Sequence, residues 1–270
     1  MIQVLKIGGN ELDDPGFVKQ LVQVVKDLPA PPILVHGGGK EISNLQERLG
    51  LEPRYVDGLR VTDDESLEVV QMVLAGRVNK RLVSALIAQG VDAFGMSGID
   101  RSAVKAEKLH HPSGDLGWVG HVTAVRAEVF LSMLEHGITP VLSPICWGGD
   151  GSIFNVNADN VAEGVALALG ADMLVFISNV PGVLVGDRLL ERLDPARAEA
   201  LIADGTVSGG MIPKVRSALE SVARGVSAVR ITNLQGLRQG TGTVVTRATG
   251  TGPEHDAATV DGTTSTSNAD

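Results

Sequence analysis

Short apolar runs alternate with amphipathic segments along the first 245 residues. The runs at 2–7, 33–35, 91–94, 140–142, 173–177 and 226–231 have the length and composition of buried strands. The segments at 17–28, 41–49, 67–89, 127–136, 161–169, 193–203 and 213–224 carry apolar residues at helical spacing. This alternation predicts an α/β fold with a mainly parallel central sheet and helices on both faces. Segments 54–62 and 104–125 predict hairpins added on one side, and 144–151 predicts a loop.

Two of these strands end in glycine turns. Lys6 lies near the end of the first strand, just before the glycines at 8–9, and His36 precedes the glycines at 37–39. Glycines let backbone N–H groups approach an anion closely, and a strand, a glycine turn and a helix together form a common anion-binding arrangement. The alternatives are a snorkelling lysine before an ordinary turn and a histidine that only makes structural hydrogen bonds.

Neither turn matches a named nucleotide motif. A dinucleotide fingerprint would need glycine at Ile42, and a Walker A loop would need Ser or Thr where Glu41 follows Lys40. The stretch Gly95-Met96-Ser97-Gly98 would need glycine at Ile99 to form a nucleophile elbow. We therefore assign no nucleophilic role to Ser97.

Four polar residues elsewhere are candidates for a ligand site. Arg60 lies in a predicted hairpin and is either a solvated charge or a fork that grips a carboxylate. Asn155 and Asp159 stand at the start of a predicted helix, where they either cap it or face a ligand. Lys214 lies in the first turn of a helix, where an ammonium opposes the helix dipole, so a bound anion nearby would explain it.

Composition restricts the classes of function. A net charge of −9 and only 3% aromatic residues disfavour nucleic acid and anionic membranes as partners, but leave a small anionic substrate open. Cys146 is the only cysteine, which excludes an internal disulfide and CxxC motifs. Without an apolar signal segment or a membrane-length apolar run, the chain is expected to be cytoplasmic. Residues 246–270 have hardly any large apolar side chains and predict a disordered tail.

Seven short motifs lie in a fixed order between residues 2 and 245. They are Lys6-Ile7-Gly8-Gly9, His36-Gly37-Gly38-Gly39, Gly58-Leu59-Arg60-Val61-Thr62, Asn79-Lys80, Gly117-Trp118-Val119-Gly120, Asn155-Val156-Asn157-Ala158-Asp159 and Gly210-Met211-Ile212-Pro213-Lys214. The ordered set resembles the amino acid kinase family and, within it, the acetylglutamate kinases of arginine biosynthesis. The resemblance implies an open three-layer αβα sandwich. Residues 1–172 would form an N-terminal lobe for the acyl amino acid and for dimerisation, and 173–245 a C-terminal lobe for ATP.

The resemblance also implies a reaction: ATP-dependent phosphorylation of the side-chain carboxylate of N-acetyl-L-glutamate. Mg²⁺ would be held mainly by the ATP phosphates, with no metal ligands from the protein. Lys6 and Lys214 would be the cations on the transferring phosphoryl group, and Asp159 would orient both lysines. The substrate-binding residues would be Gly38, Gly39, Arg60 and Asn155. The nucleotide-binding residues would be Gly8, Gly9, Asn179, Val180, Pro181, Gly182, Thr206, Gly209, Gly210 and Met211.

One departure from the family pattern keeps other substrates open. Asn179 stands where acetylglutamate kinases usually carry aspartate, and the loop 179–182 resembles relatives that act on aminoadipate or glutamate attached to an amino-group carrier protein. Segments 58–62 and 155–159 instead match the pattern for free acetylglutamate, which we favour. Succinylglutamate is a further possible substrate.

A non-catalytic sensor of amino acids or nucleotides on the same fold is the rival class. Such a sensor would have no need of both lysines, so their presence argues against it. The extra N-terminal helix of the arginine-inhibited hexameric members is not seen before the first strand. We therefore expect a homodimer with little inhibition by arginine.

Overall fold

The structure is a computed structural model that describes residues 1–9 and 11–247. The tail predicted at 246–270 lies outside the described residues from position 248 onward. Within the described part, no helix combines the length and the apolar composition that crossing a bilayer requires.

The strands of the described part are short, from two to seven residues. They are β1 (Gln3–Ile7), β2 (Ile33–His36), β3 (Tyr55–Val56), β4 (Leu59–Arg60), β5 (Ala93–Ser97), β6 (Val104–Lys108), β7 (Val119–Val125), β8 (Thr139–Ser143), β9 (Ile145–Trp147), β10 (Ile153–Val156), β11 (Met173–Ile177), β12 (Leu184–Val185), β13 (Arg188–Leu189), β14 (Arg192–Leu193), β15 (Val229–Thr232) and β16 (Thr243–Val245).

Helices connect most of the strands of the main sheet. They are α1 (Pro15–Asp27), α2 (Gly39–Arg48), α3 (Asp64–Gln71), α4 (Asn79–Ile87), α5 (Ala127–Glu135), α6 (Ala158–Leu169), α7 (Pro195–Ala203), α8 (Met211–Arg224) and α9 (Leu234–Gln239). A π-helical segment, Met72–Val78, which contains Gly76, joins α3 to α4. Side-chain caps start several of these helices; Asp14, for example, accepts a hydrogen bond from the Gly16 N–H and is followed by Pro15 in the first turn of α1.

The main sheet has eight strands in the order β14-β16-β15-β11-β1-β2-β8-β5. Neighbouring strands run parallel except for β15 and β16, which are antiparallel. The sheet is continuous across the predicted lobe boundary at 172–173, because β11 pairs with β1 along its whole length. The division into two lobes stays a prediction.

Alternation along β1 sends side chains into two separate apolar layers. Val4 joins a core with residues of α5, α6 and α8 on one face, whereas Leu5 and Ile7 join a core with residues of α1, α3, α4 and α9 on the other. Helices therefore cover both faces, and the predicted αβα sandwich with a mainly parallel sheet is confirmed.

A small second sheet corrects one prediction. The segment 144–151, predicted as a loop, contains β9, which pairs antiparallel with β10 and parallel with β6. Together with the pairs β6–β7 and β7–β10, these contacts close the four strands into a ring. Three residues are too few for a periodic signal, but burial of Ile145 and Cys146 explains the strand. The predicted hairpins are present as β3–β4 and β6–β7.

Candidate active site

The glycine turns after β1 and β2 meet at the carboxyl edge of the sheet. The two strands are parallel neighbours with Ile7 opposite His36, and the Gly37 N–H donates to the Ile7 carbonyl at 3.0 Å. A Cβ atom on Gly9 would lie 2.5 Å from the Gly38 nitrogen and 2.7 Å from its Cα. Because these are backbone atoms that no side-chain rotation can move, only glycine fits at position 9.

A cavity of about 520 Å³ opens beside these turns. Its walls come from the two turns, the β3–β4 hairpin, β7 and the segment that leads from β10 into α6. Three cationic side chains line it, those of Lys6, Lys40 and Arg60, whereas no Asp or Glu of the described residues does. The chain has a net charge of −9, so this local excess of positive charge favours an anionic ligand.

Lys6 is held by the first turn of α6. It points to the face of the sheet that α6 covers, and its Nζ lies 2.9 Å from Asp159 Oδ1. Both side chains keep some exposure, 21% for Lys6 and 30% for Asp159. Asn157, not Asp159, caps α6, since its Oδ1 accepts a hydrogen bond from the Asp159 N–H at 2.8 Å. The Asp159 side chain is therefore available to orient Lys6.

Arg60 enters the cavity from the β3–β4 hairpin and is fixed by neutral acceptors. Its guanidinium donates to Gln46 Oε1, to the Gly39 carbonyl at 3.0 Å and to Ser43 Oγ at 2.8 Å, and it lies 4.8 Å from the centre of the Tyr55 ring. Burial lowers its pKa. Among the described residues it forms no ion pair with an acid, so its charge is not neutralised by the protein.

Asn155 and the glycines at 38 and 39 complete this side of the cavity. The Asn155 amide donates to Thr62 Oγ1 at 3.1 Å, which fixes its orientation. Gly38 and Gly39 precede and begin α2, so their N–H groups belong to the unpaired first turn of that helix. Five of the predicted substrate and phosphoryl contacts thus line one cavity: Lys6, Gly38, Gly39, Arg60 and Asn155.

The predicted nucleotide-binding residues follow β1 and β11 and precede or begin α8, and of these Gly9 also lines the cavity. Asn179 to Gly182 follow β11, whose carboxyl end shares the sheet edge with β1. Gly182 has φ 149°, and a Cβ there would lie 2.6 Å from Thr243 Oγ1, so glycine is required. The remaining residues lie in the turn before α8 (Thr206 and Gly209), at the start of that helix (Gly210 and Met211) and after β1 (Gly8 and Gly9). Their role in nucleotide binding stays a prediction.

Lys214 is not among the residues that line the cavity. Its Nζ donates to the Gly210 carbonyl at 3.2 Å, and in the described part of the chain it pairs with no acid, Asp159 included. The meeting of Lys6 and Lys214 therefore stays a prediction. Within residues 1–9 and 11–247, no group of three or more His, Cys, Asp or Glu side chains is placed to hold a metal ion.

Comparison with known proteins places the chain in a family. A model of the amino acid kinase family matches residues 1–233. The chain belongs to the amino acid kinase family. An acetylglutamate kinase of Roseiflexus sp. (strain RS-1) is 56% identical over 244 residues, which are 90% of this chain and 93% of that protein. The family resemblance predicted from the seven motifs is therefore confirmed.

Two solved structures resemble this amino acid kinase over nearly its whole length. The structure of smu.665 from Streptococcus mutans UA159 is 33% identical with a TM-score of 0.73, covering 91% of this chain and 98% of that one. The N-acetylglutamate synthase of Neisseria gonorrhoeae, solved with coenzyme A and N-acetyl-glutamate, is 26% identical with a TM-score of 0.78. It covers 92% of this chain but only 60% of the synthase, which is longer.

Sequence reasoning weighed a structural role for His36 but did not predict its buried contact with Asn79 beneath the glycine turn of this kinase. His36 and Asn79 are both fully buried, and they contact each other at 3.1 Å between His36 Nε2 and Asn79 Nδ2. Burial lowers the pKa of His36 to about 4. Asn79 precedes Leu82 and Leu86 at helical spacing, so the signal in the sequence was an amide on an otherwise apolar helix face.

A cluster of one buried carboxylate and two exposed arginines was also missed. Glu41, in the first turn of α2, receives hydrogen bonds from Arg77 at 2.7 Å and from Arg81 at 2.5 Å. Burial raises the pKa of Glu41, but the bonds from Arg81 and Arg77 outweigh that effect and leave the pKa below its usual value. This cluster ties the start of α2, and with it the glycine turn, to the π-helical segment and α4.

Proposed function

We propose that this protein is an acetylglutamate kinase, which transfers the γ-phosphoryl group of ATP to the side-chain carboxylate of N-acetyl-L-glutamate in arginine biosynthesis. The observation that carries this proposal is the 56% identity to an acetylglutamate kinase across 90% of the chain. The cavity supports this proposal independently. Its lining is cationic and rich in backbone donors, and its volume is large enough for an acyl amino acid.

The chemistry suits a site without a general base. One oxygen of the substrate carboxylate attacks the γ-phosphorus, and the bond from that phosphorus to the bridging oxygen of ADP breaks. A carboxylate is already ionised, so no proton has to be removed. What the protein must supply is positioning and relief of the repulsion between two anions.

We assign the acceptor side of the reaction to the cavity. Arg60, whose guanidinium has no acidic partner in the described chain, would bind the α-carboxylate, with Asn155 on the amide. The N–H groups of Gly38 and Gly39 would face the reacting carboxylate and the transferring phosphoryl group. Lys6, oriented by Asp159 at 2.9 Å, would neutralise the charge that forms between them.

We assign the nucleotide side to the turns around β11 and α8. Lys214 would reach the phosphates from the first turn of α8 once it leaves the Gly210 carbonyl. Mg²⁺, held mainly by the ATP phosphates, would neutralise part of their charge. Homodimerisation and a cytoplasmic location remain predictions. Light scattering of the purified protein tests the first, and cell fractionation tests the second.

A substrate panel tests the proposal. Acyl-phosphate formation and ADP release would be measured with N-acetyl-L-glutamate, N-succinyl-L-glutamate and carrier-linked aminoadipate. We expect turnover of the first substrate and little of the others. Turnover of only the carrier-linked substrate would replace the proposal with the alternative that the loop 179–182 left open, and ligand binding without turnover would identify a sensor.

Alanine variants test the role of the cations. Lys6→Ala and Lys214→Ala should each lower kcat by about 10²- to 10³-fold, the usual effect of removing one preorganised donor. Lys19→Ala, an exposed lysine on α1, is the matched control and should keep the wild-type rate. Near-normal kcat in the Lys6 variant, with the fold intact by circular dichroism, would disprove its assignment.

A further inference from the structure

The backbone donors of the glycine turn have no partner within the protein. Gly37 N–H is bonded to Ile7, but neither Gly38 N–H nor Gly39 N–H donates to any acceptor among the described residues. Both glycines line the cavity. An N–H group with no acceptor can rotate away from a ligand, so something else in the fold must set its direction.

That direction follows from the other end of the same peptide. The Gly37 carbonyl and the Gly38 N–H belong to one planar trans peptide and point in opposite directions. The Gly37 oxygen lies 3.0 Å from Nδ1 of His36, whose ring is buried in the interior. A hydrogen bond from Nδ1–H to this oxygen therefore turns the Gly38 N–H away from the interior.

Asn79 decides whether His36 can donate that bond. Asn79 Nδ2 lies 2.8 Å from the Val141 carbonyl, which can only accept, so the amide must present its NH₂ group there. Asn79 Nδ2 also lies 3.1 Å from His36 Nε2 and 3.4 Å from the Met96 carbonyl, so the second hydrogen of the NH₂ has His36 Nε2 as its nearer acceptor. An Nε2 that accepts leaves the ring proton on Nδ1, the tautomer that donates to Gly37.

We propose that Asn79 and His36 are positioning residues for phosphoryl transfer: Asn79 fixes the Nδ1–H tautomer of His36, and His36 aims the Gly38 N–H into the cavity. The inference rests on the proposed function, since it gives that N–H the transferring phosphoryl group or the carboxylate as its partner. Satisfaction of buried polar groups alone does not explain Asn79, because its Oδ1 is buried without a partner in the described chain.

The helix that carries Asn79 also presses on the turn. A Cβ on Gly38 would lie 2.6 Å from Leu74 Cδ2 and 3.3 Å from Val78 Cγ2, both in the π-helical segment directly before Asn79. Side-chain packing thus limits where the Gly38 Cα can go, and the hydrogen bond from His36 limits how its peptide can rotate. The first restraint comes from Leu74 and Val78 of the π-helical segment, and the second from His36, which Asn79 contacts from the start of α4.

Two substitutions at His36 separate positioning from a general structural role. The side-chain amide of His36→Asn can place an N–H near the Nδ1 position and keep the bond to Gly37. The longer side chain of His36→Gln reaches the Nε2 position and keeps only the contact to Asn79. We expect kcat in the Asn variant to exceed that in the Gln variant by about tenfold or more, the scale of one oriented donor. A structural role alone would change the stability of both variants and leave their kcat values alike.

The tautomer itself is measured by ¹⁵N NMR of the imidazole nitrogens in the full chain. The wild-type His36 should give a protonated Nδ1 and an unprotonated Nε2, and the Asn79→Leu variant should lose this preference. Compared with the wild type, the variant should have a kcat at least about tenfold lower and a KM for ATP that differs by no more than about twofold. If Asn79→Leu does not fold, the wild-type spectrum and the two His36 variants still decide the question.

Three results would overturn the proposal: an Nε2–H tautomer in the wild-type protein, a folded Asn79→Leu variant with wild-type kcat, or equal kcat values in the two His36 variants. Failure of the proposed function gives a different result. If the wild type turns over only another substrate of the panel, that function is wrong, and the same comparison with the active substrate still tests the positioning role.

Discussion

Acidification from pH 7.5 to pH 5 should destabilise this protein by about 2 kcal/mol through His36 alone. In the folded chain, burial lowers the pKa of His36 from 6.5 to about 4. The unfolded chain takes up this proton below its ordinary pKa of 6.5, whereas the folded chain stays neutral until pH nears 4. The unfolded state therefore binds more protons in this window, and stability falls as the pH falls.

The geometry gives the physical reason for the low pKa. The ring is fully buried, and a protonated ring would point a second N–H at the NH₂ group of Asn79, which itself donates. The difference between 6.5 and about 4 corresponds to roughly 3 kcal/mol in total, most of which is lost by pH 5. Depressed carboxylate pKa values, such as that of Glu41, act at lower pH and add little here.

Urea unfolding at pH 7.5 and pH 5 measures this effect, at fixed protein concentration and with two spectroscopic probes. The wild type should lose about 2 kcal/mol more than His36→Asn, which has no ring to protonate. His110→Asn, at an exposed histidine, is the control and should keep the wild-type pH dependence. Equal pH dependence in the wild type and His36→Asn would refute the account of a neutral, buried ring.

Two further substitutions test the cavity. Arg60→Lys loses the fork held by Gln46, Gly39 and Ser43, so it should raise the KM for the acyl amino acid by roughly 10- to 100-fold. The control is Arg54→Lys, at an exposed arginine outside the cavity lining, which should leave this KM unchanged. Equal KM values in the two variants would contradict the role of Arg60. Gly9→Ala should destabilise the protein by about 1–3 kcal/mol and reduce activity, because the added Cβ meets the backbone of Gly38. The control is Gly76→Ala, whose added Cβ has no atom within 4 Å. If the Gly9 variant is as stable as the Gly76 variant, the two glycine turns can separate to make room for the Cβ.

Local patterns in the sequence predicted what depends on neighbours in the chain. The strand before each glycine turn, the long helical segment predicted at 67–89 and the hairpin that carries Arg60 are all present. Each of these follows from periodicity, glycine or turn chemistry within about ten residues. The seven ordered motifs were also enough to identify the family, because their order and spacing constrain most of the chain.

Long-range contacts were beyond the reach of such patterns. The pairing of β9 with β6 joins residues about forty positions apart through a single register pair, Lys105 with Trp147, so nothing local to β9 predicts it. Asn79 reaches His36 and Val141 across 43 and 62 positions. Its importance depends on which carbonyl and which ring nitrogen it meets, and these are properties of the assembled sheet.

The distribution of charge explains how an acidic chain can bind two anionic reactants. Carboxylates outnumber lysines and arginines by 32 to 23 over the whole sequence, yet the described cavity lining has three cations and no acid. Two of those cations are oriented but partly neutralised by ion pairs, Lys6 with Asp159 and Lys40 with Asp13. Arg60 is held by neutral oxygens and keeps its full charge. An anion should therefore meet Arg60 first, and the Lys6 ammonium would turn from its carboxylate toward the phosphoryl group only when further negative charge arrives. On this reasoning, Asp159→Asn should leave the KM for the acyl amino acid nearly unchanged and lower kcat, because it removes the restraint on Lys6 without touching Arg60.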